Sequence, residues 1–240
     1  MMQTTLLFTC EHGGNQIPTI FRKKIPQESL ALFDTHRGLD IGALALAKKL
    51  AEFANARLFY SETSRLLIDL NRSLESETLF SEFSKTFSPS EQKILLKEFY
   101  NPYRNSVAKF VQNALSAGRA VVHISVHSFT PVWKGQRRPT EIGVLFDPHT
   151  KIEAAFARQW QKNLKKESDF VIHSNRPYRG FGDGQTTELR SRFKNQPYCG
   201  IEIEINQKFF ARQLTGTRRA FNTKNLAHLL WKTLLENQSS

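Results

Sequence analysis

Ala120-Val-Val-His-Ile-Ser-Val-His-Ser-Phe-Thr-Pro131 opens as a β-branched, apolar run, with Gly118 upstream and Thr130-Pro131 downstream. A short apolar run bounded by turn residues is the signature of a buried strand. His127 stands at the C-terminal end of that run. In an open α/β sheet the ligand crevice lies beyond the carboxyl ends of the strands. A histidine there is placed for chemistry, although one histidine alone is more often a hydrogen-bonded structural residue.

The flanking chain repeats the theme of strands that end in polar residues. Upstream, Thr4 to Cys10 reads as a first strand ending in Glu11-His12-Gly13-Gly14-Asn15, whose glycines allow a tight turn and close approach of the backbone to a ligand. A broad apolar helical face follows over Leu39 to Phe53, with Asp34, His36 and Asp40 just ahead of it. If that helix begins before His36, then His36 and Asp40 share a face; alternatively the carboxylates start the helix. Arg57 to Ser61 reads as a second strand. Ser64-Arg-Leu-Leu-Ile-Asp-Leu-Asn-Arg72 is an apolar strand or turn ending in an Asn-Arg pair, and a planar guanidinium can hold a carboxylate in fixed geometry. Ser73 to Pro89 is polar with interleaved phenylalanines, an irregular, lid-like connection. Ser90 to Ala117 is helical with a break at Asn101-Pro102.

Downstream, Trp133 to Pro139 is a basic loop, Glu141 to Asp147 a strand, Ile152 to Lys166 a helix and Asp169 to His173 a short strand. Asn175 to Gly184 is a glycine-rich loop without phosphate-loop spacing. Cys199-Gly-Ile-Glu-Ile-Glu-Ile-Asn206 alternates, which puts Glu202 and Glu204 on one strand face and the isoleucines on the other. An edge strand with a solvated acidic face is the competing reading. Thr223 to Glu236 is a closing helix.

The chain has 240 residues, 40% of them hydrophobic, which suits one core and a single domain spanning residues 1–240. No apolar run is long enough to span a membrane. Met1-Met2-Gln3-Thr4 leads straight into a strand, and Cys10 and Cys199 lack ligand spacing, so a reduced, cytoplasmic protein is expected. A net charge of +12 favours anionic partners, either a small acidic substrate or nucleic acid.

Two strand-end histidines, a nearby carboxylate, an Asn-Arg pair and a late glutamate together match the needs of a mononuclear zinc hydrolase. Such a site takes imidazoles and a carboxylate as ligands and a further carboxylate as proton carrier. The chain resembles the N-formylglutamate amidohydrolase family, relatives of zinc carboxypeptidases and aspartoacylase-like deacylases. The resemblance is carried by Glu11 to Pro18, His36 to Ala43, Ser64 to Arg72, His127 to Pro131, Arg138 to Leu145, Asn175 to Tyr178 and Ile201 to Glu204.

It implies a three-layer α/β/α sandwich on a mixed, mainly parallel sheet, of the zinc-exopeptidase (phosphorylase/hydrolase)-like type. It implies His12 and His127 as zinc ligands, Asn71 and Arg72 as the grip on a substrate carboxylate with Arg65 or Arg138 assisting, and Glu204, or else Glu202, as the base. Where carboxypeptidase-like enzymes carry a ligand glutamate three residues after the first histidine, this chain has Asn15. The acidic ligand is therefore assigned to Asp40, with His36 or Glu11 possible in its place. A second departure is Asn206-Gln207-Lys208, where closer relatives tend to carry Arg and Asp. The implied reaction is zinc-assisted hydrolysis of a small anionic N-acyl amino acid, although such ligands also suit other divalent metals. The rival reading is a non-catalytic, basic nucleic-acid-binding module, drawing on the clusters Arg176 to Arg192 and Arg212 to Arg219.

Overall fold

The computed structural model describes residues 3–210 and 222–238; the basic cluster Arg212 to Arg219 lies outside them. In chain order the elements are β1 (Thr4–Cys10), α1 (Thr19–Arg22), α2 (Ala43–Ala54), β2 (Arg57–Tyr60), α3 (Pro89–Leu95), α4 (Asn101–Ser116), β3 (Ala120–Phe129), β4 (Val132–Trp133), β5 (Gln136–Arg137), β6 (Ile142–Leu145), α5 (Lys151–Glu167), β7 (Ile172–Ser174), α6 (Gln185–Arg192), β8 (Tyr198–Asn206) and α7 (Thr223–Gln238).

Six strands form one sheet in the order β2-β1-β3-β8-β6-β7, and every neighbouring pair is parallel except β6–β8. Strand alternation divides the buried residues between two helix layers. Phe8, Val122, Ile124, Val126, Ile201, Ile203 and Ile205 pack under α2, α5 and α7. On the other face Leu7, Val121 and Tyr198 meet Val107, Val111 and Leu115 of α4 and Leu189 of α6. The architecture is the expected three-layer α/β/α sandwich on a mixed, mainly parallel sheet. No helix among the described residues is long and apolar enough to cross a membrane. Cys10 and Cys199 are buried free thiols.

Several local expectations are corrected. Helix α2 begins only at Ala43, because Gly42 ahead of it adopts φ +82°, a left-handed conformation that glycine takes without steric cost. His36 and Asp40 therefore lie in the preceding turn and do not share a helix face. The helical stretch after Ser90 is not broken at Asn101-Pro102. It passes through one π-helical turn, Leu96–Tyr100, and continues as α4. A widened turn absorbs the missing N–H and the ring clash of a proline. The Ser73 to Pro89 segment is no free lid: Leu79 and Phe87 are buried, and Phe80 and Phe83 pack on them, in an apolar cluster with Phe21, Phe33 and Leu67. Within the basic loop, β4 and β5 form a hairpin closed by Lys134 and Gly135, both at positive φ. Strand β8 is interior, between β3 and β6, so its acidic face is not a solvated edge.

Candidate metal centre

Register builds the site. β3 and β8 pair in parallel with Ser125 opposite Glu202 and His127 opposite Glu204, while Thr9 of β1 pairs with Ser125. Paired residues point to the same side of a sheet. Thr9, Ser125, His127, Glu202 and Glu204 thus form a polar column on one face, while the intervening positions bury isoleucine and valine on the other. The His12 carbonyl accepts the Asp40 amide at 2.9 Å, which ties the turn before α2 to the end of β1.

His12, Asp40 and His127 converge there, all three buried, with candidate donor atoms within 4.8 Å of one another. Asp40 Oδ2 lies 2.8 Å from His127 Nδ1 and 3.4 Å from His12 Nδ1. Neither His36 nor Glu11 takes the place of Asp40. His36 is exposed with its ring edge-on to Trp133, and Glu11 sits behind His127. Asn15 donates to the exposed Asp34.

Each imidazole has a carboxylate at its far nitrogen. Asp69 Oδ1 is 2.6 Å from His12 Nε2. Glu11 Oε2 is 3.3 Å from His127 Nε2, and Ser125 Oγ bridges them, 2.9 Å from the ring and donating to Glu11 at 2.7 Å. Tyr103 donates to the other Glu11 oxygen. Burial opposes protonation of His127, yet hydrogen bonds and charge from Asp40 and Glu11 outweigh it and hold its pKa well above the usual value. Burial likewise opposes ionisation of Asp40, but the two imidazoles hold its pKa below the carboxylate range.

This donor set fits a divalent metal. Both Nδ1 atoms face the Asp40 oxygen and both Nε2 atoms have a carboxylate partner, the arrangement that fixes a ligating imidazole's tautomer and ring orientation. Two imidazoles and a carboxylate leave a further position open, as catalytic zinc sites do. Asp40→Asn is accordingly expected to lower zinc occupancy well below that of Asp34→Asn, which should match wild type. Metal analysis of the two purified variants checks this; equal occupancy would leave Asp40 as an ordinary turn residue.

Beside the cluster, Glu204 is buried and its Oε2 has no hydrogen-bond partner among the described residues. Burial, helped by the charges of Asp40 and Glu202 and opposed by His127 and Arg65, pushes its pKa up to about 8. Glu202 is half-buried and accepts from Thr186 at 2.7 Å. Either glutamate could be the base by sequence; Glu204 is the one whose strand position lies opposite His127, and its Oε2 is buried and uncommitted.

A cavity of about 660 Å³ opens over the cluster, lined among others by His12, Asp40, Arg65, Asn71, Arg72, His127, Glu202 and Glu204. Asn71 accepts the Gln185 amide at 2.7 Å, joining the turn after Asp69 to the start of α6. Arg72 Nη1 donates to the Asn71 and Asp183 carbonyls, at 2.8 and 3.0 Å. Its charge meets neutral acceptors there. Arg65, by contrast, is held by Asp40 and Asp69. Arg138 is not among the residues lining the cavity. It stacks against Phe129, Trp133 and Tyr178 with its guanidinium carbon 5.2–5.6 Å from the ring centres, and donates to the Tyr178 hydroxyl.

Sequence reasoning gave no role to Asp69, which it named only as one of the polar residues ending the Ser64 to Arg72 segment, and did not single out Ser125 or Tyr103. Asp69 precedes Asn71-Arg72 by two positions, but nothing local distinguishes it from a turn carboxylate that caps the Asn71 amide, which it also does.

Two solved structures share the fold. A gene product of Agrobacterium tumefaciens superposes with a TM-score of 0.81 at 24% identity, covering 99% of this chain and 92% of the other. An N-formylglutamate amidohydrolase from Ralstonia eutropha superposes with a TM-score of 0.72 at 17% identity, covering 100% and 96%. No curated protein matches the chain by sequence. The family profile described as N-formylglutamate amidohydrolase matches residues 4–211, a span that takes in every residue of the cluster from Glu11 to Glu204. The polar column and its converging turns lie within the matched span, and the chain belongs to the N-formylglutamate amidohydrolase family.

Proposed function

We propose that the protein is a metal-dependent amidohydrolase that cleaves a small anionic N-acyl amino acid of the N-formylglutamate kind into the free amino acid and a carboxylic acid. The observation that carries this reading is the buried Glu204 Oε2, without a hydrogen-bond partner among the described residues, beside the His12–Asp40–His127 cluster. A divalent metal, with zinc the first candidate, would be held by those three residues and would act as a Lewis acid toward water and the acyl oxygen.

The chain's own groups do the rest. Glu204 takes a proton from the attacking water at Oε2 and returns it to the amide nitrogen as the C–N bond breaks, the double role of a general base and acid. Asp69 and Glu11 keep the two imidazoles aimed. Arg72, supported by Asn71, takes the substrate's carboxylate. Arg65 and Arg138 have other partners and are not assigned to the substrate.

The test is metal analysis of the purified protein beside an assay over N-formyl, N-acetyl and N-succinyl glutamate and aspartate. Turnover of one of them that is abolished by chelation and restored by zinc supports the reading; metal-free protein that hydrolyses at full rate sinks it.

Arg72→Met isolates the anion anchor. A charged hydrogen bond contributes about 1.5–3 kcal/mol, so kcat/KM should fall roughly 10- to 100-fold on the acid. The loss should be much smaller on the corresponding amide, and zinc content should not change. An equal loss on acid and amide would give Arg72 a structural role through its carbonyl contacts.

A further inference from the structure

Arg65 joins the two halves of the cluster. Its Nη1 lies 3.3 Å from Asp40 Oδ1 and its Nη2 2.8 Å from Asp69 Oδ2. Asp40 presents its other oxygen, Oδ2, to His127 and His12, and Asp69 presents Oδ1 to His12. Arg65, Asp69, His12 and Asp40 therefore close a ring in which each carboxylate gives one oxygen to an imidazole and the other to the guanidinium. A carboxylate can rotate about its last bond. A planar fork that holds the far oxygen of both acids decides which oxygen faces the imidazoles.

Charge supports the same role. Glu11, Asp40 and Asp69 bring three negative charges against the imidazoles. Glu11 is otherwise met by neutral donors, Ser125 and Tyr103. Among the described residues, Arg65 is the guanidinium at ion-pair distance from these acids. One guanidinium and one divalent cation together balance the three carboxylates, and buried charge persists only when it is compensated.

We infer that Arg65 is a positioning residue of the metal centre: by clamping Asp40 and Asp69 it aims Asp40 Oδ2 and the His12 ring at the cation, and it does not take the substrate's carboxylate. The inference rests on the proposal that the cluster holds a divalent metal. Lysine keeps the charge but, as a single point donor, cannot hold two carboxylates in a fork.

Arg65→Lys is therefore the informative variant, with zinc affinity read by chelator competition and the fold checked by thermal unfolding. Zinc should bind roughly 10- to 100-fold more weakly than to wild type, the usual cost of losing a partner of a ligand. At saturating zinc, KM should stay within about twofold of wild type. Asp69→Asn should give the same signature, and combining the two should add little, because both remove one clamp. Arg65→Gln, which removes the fork without touching Asp69 or His12, stands in if Arg65→Lys does not fold, with the same zinc-affinity and KM readouts. Zinc affinity held within about threefold of wild type while KM rises would overturn the inference and make Arg65 a substrate anchor. Wild-type protein that binds no divalent metal would overturn the metal reading itself, and the role of Arg65 with it.

Discussion

Glu204→Gln is expected to lower kcat by about 10²- to 10⁴-fold, the contribution typical of a positioned proton carrier, while zinc content stays at the wild-type level. The substitution keeps shape and volume but removes the group that can accept and return a proton. It should also leave the fold intact. Burial raises the Glu204 pKa to about 8, so near neutral pH the metal-free protein already holds a largely uncharged side chain there.

That shift gives a second reading of the same variant. In metal-free wild type the unfolded chain releases the Glu204 proton near the ordinary carboxylate value, whereas the folded chain keeps it until about pH 8. The folded state then binds more protons across that window, so stability falls as pH rises through it. Glu204→Gln removes that slope. Melting temperatures of metal-free wild type and variant should diverge in favour of the variant between about pH 5 and pH 8. A drop in kcat of less than about tenfold would move the base to Glu202, and Glu202→Gln would then show the larger loss.

His127→Ala carries the other large effect. It should take zinc from about one per chain to near none and activity to background, because a three-ligand centre reduced to one histidine and one carboxylate loses its geometry. The fold should persist with reduced stability. The imidazole is the partner of both Asp40 and Glu11, and removing one member of a buried charged pair costs about 3–5 kcal/mol. Element analysis with circular dichroism reads both outcomes. Full metal occupancy in the folded variant would remove His127 from the ligand set.

Much of this is legible in the sequence. Strands β1, β3 and β8 announce themselves through β-branched runs and period-two alternation, and His12, Asp40 and His127 sit in motifs that arrive in the family's order. Long-range partners are not legible. Nothing local to Asp69 or Ser125 says that one faces His12, 57 positions away, and that the other bridges His127 to Glu11, 114 positions away. Helix α6 escapes notice because Gln185–Arg192 offers Leu189 as its only large buried apolar side chain, too little for a periodic signal. Arg65 and Arg138 group with Arg72 as anion grips because composition shows a guanidinium's charge but not its partners. Two of these three cations turn out to be taken up by the protein itself, one by carboxylates and one by aromatic rings.

The two-faced β8 strand has a consequence for how the molecule reaches its working form. Sliding β8 by one position against β3 would exchange its faces, carrying Glu202 and Glu204 into the apolar layer under α2, α5 and α7 and leaving isoleucines opposite Ser125 and His127. Two unpaired carboxylates in that layer would carry a desolvation penalty on the scale of the whole stability of a domain. A chain that folds at all has therefore folded with its glutamates in the site. Assembly of the polar column and selection of the native strand alignment are one event.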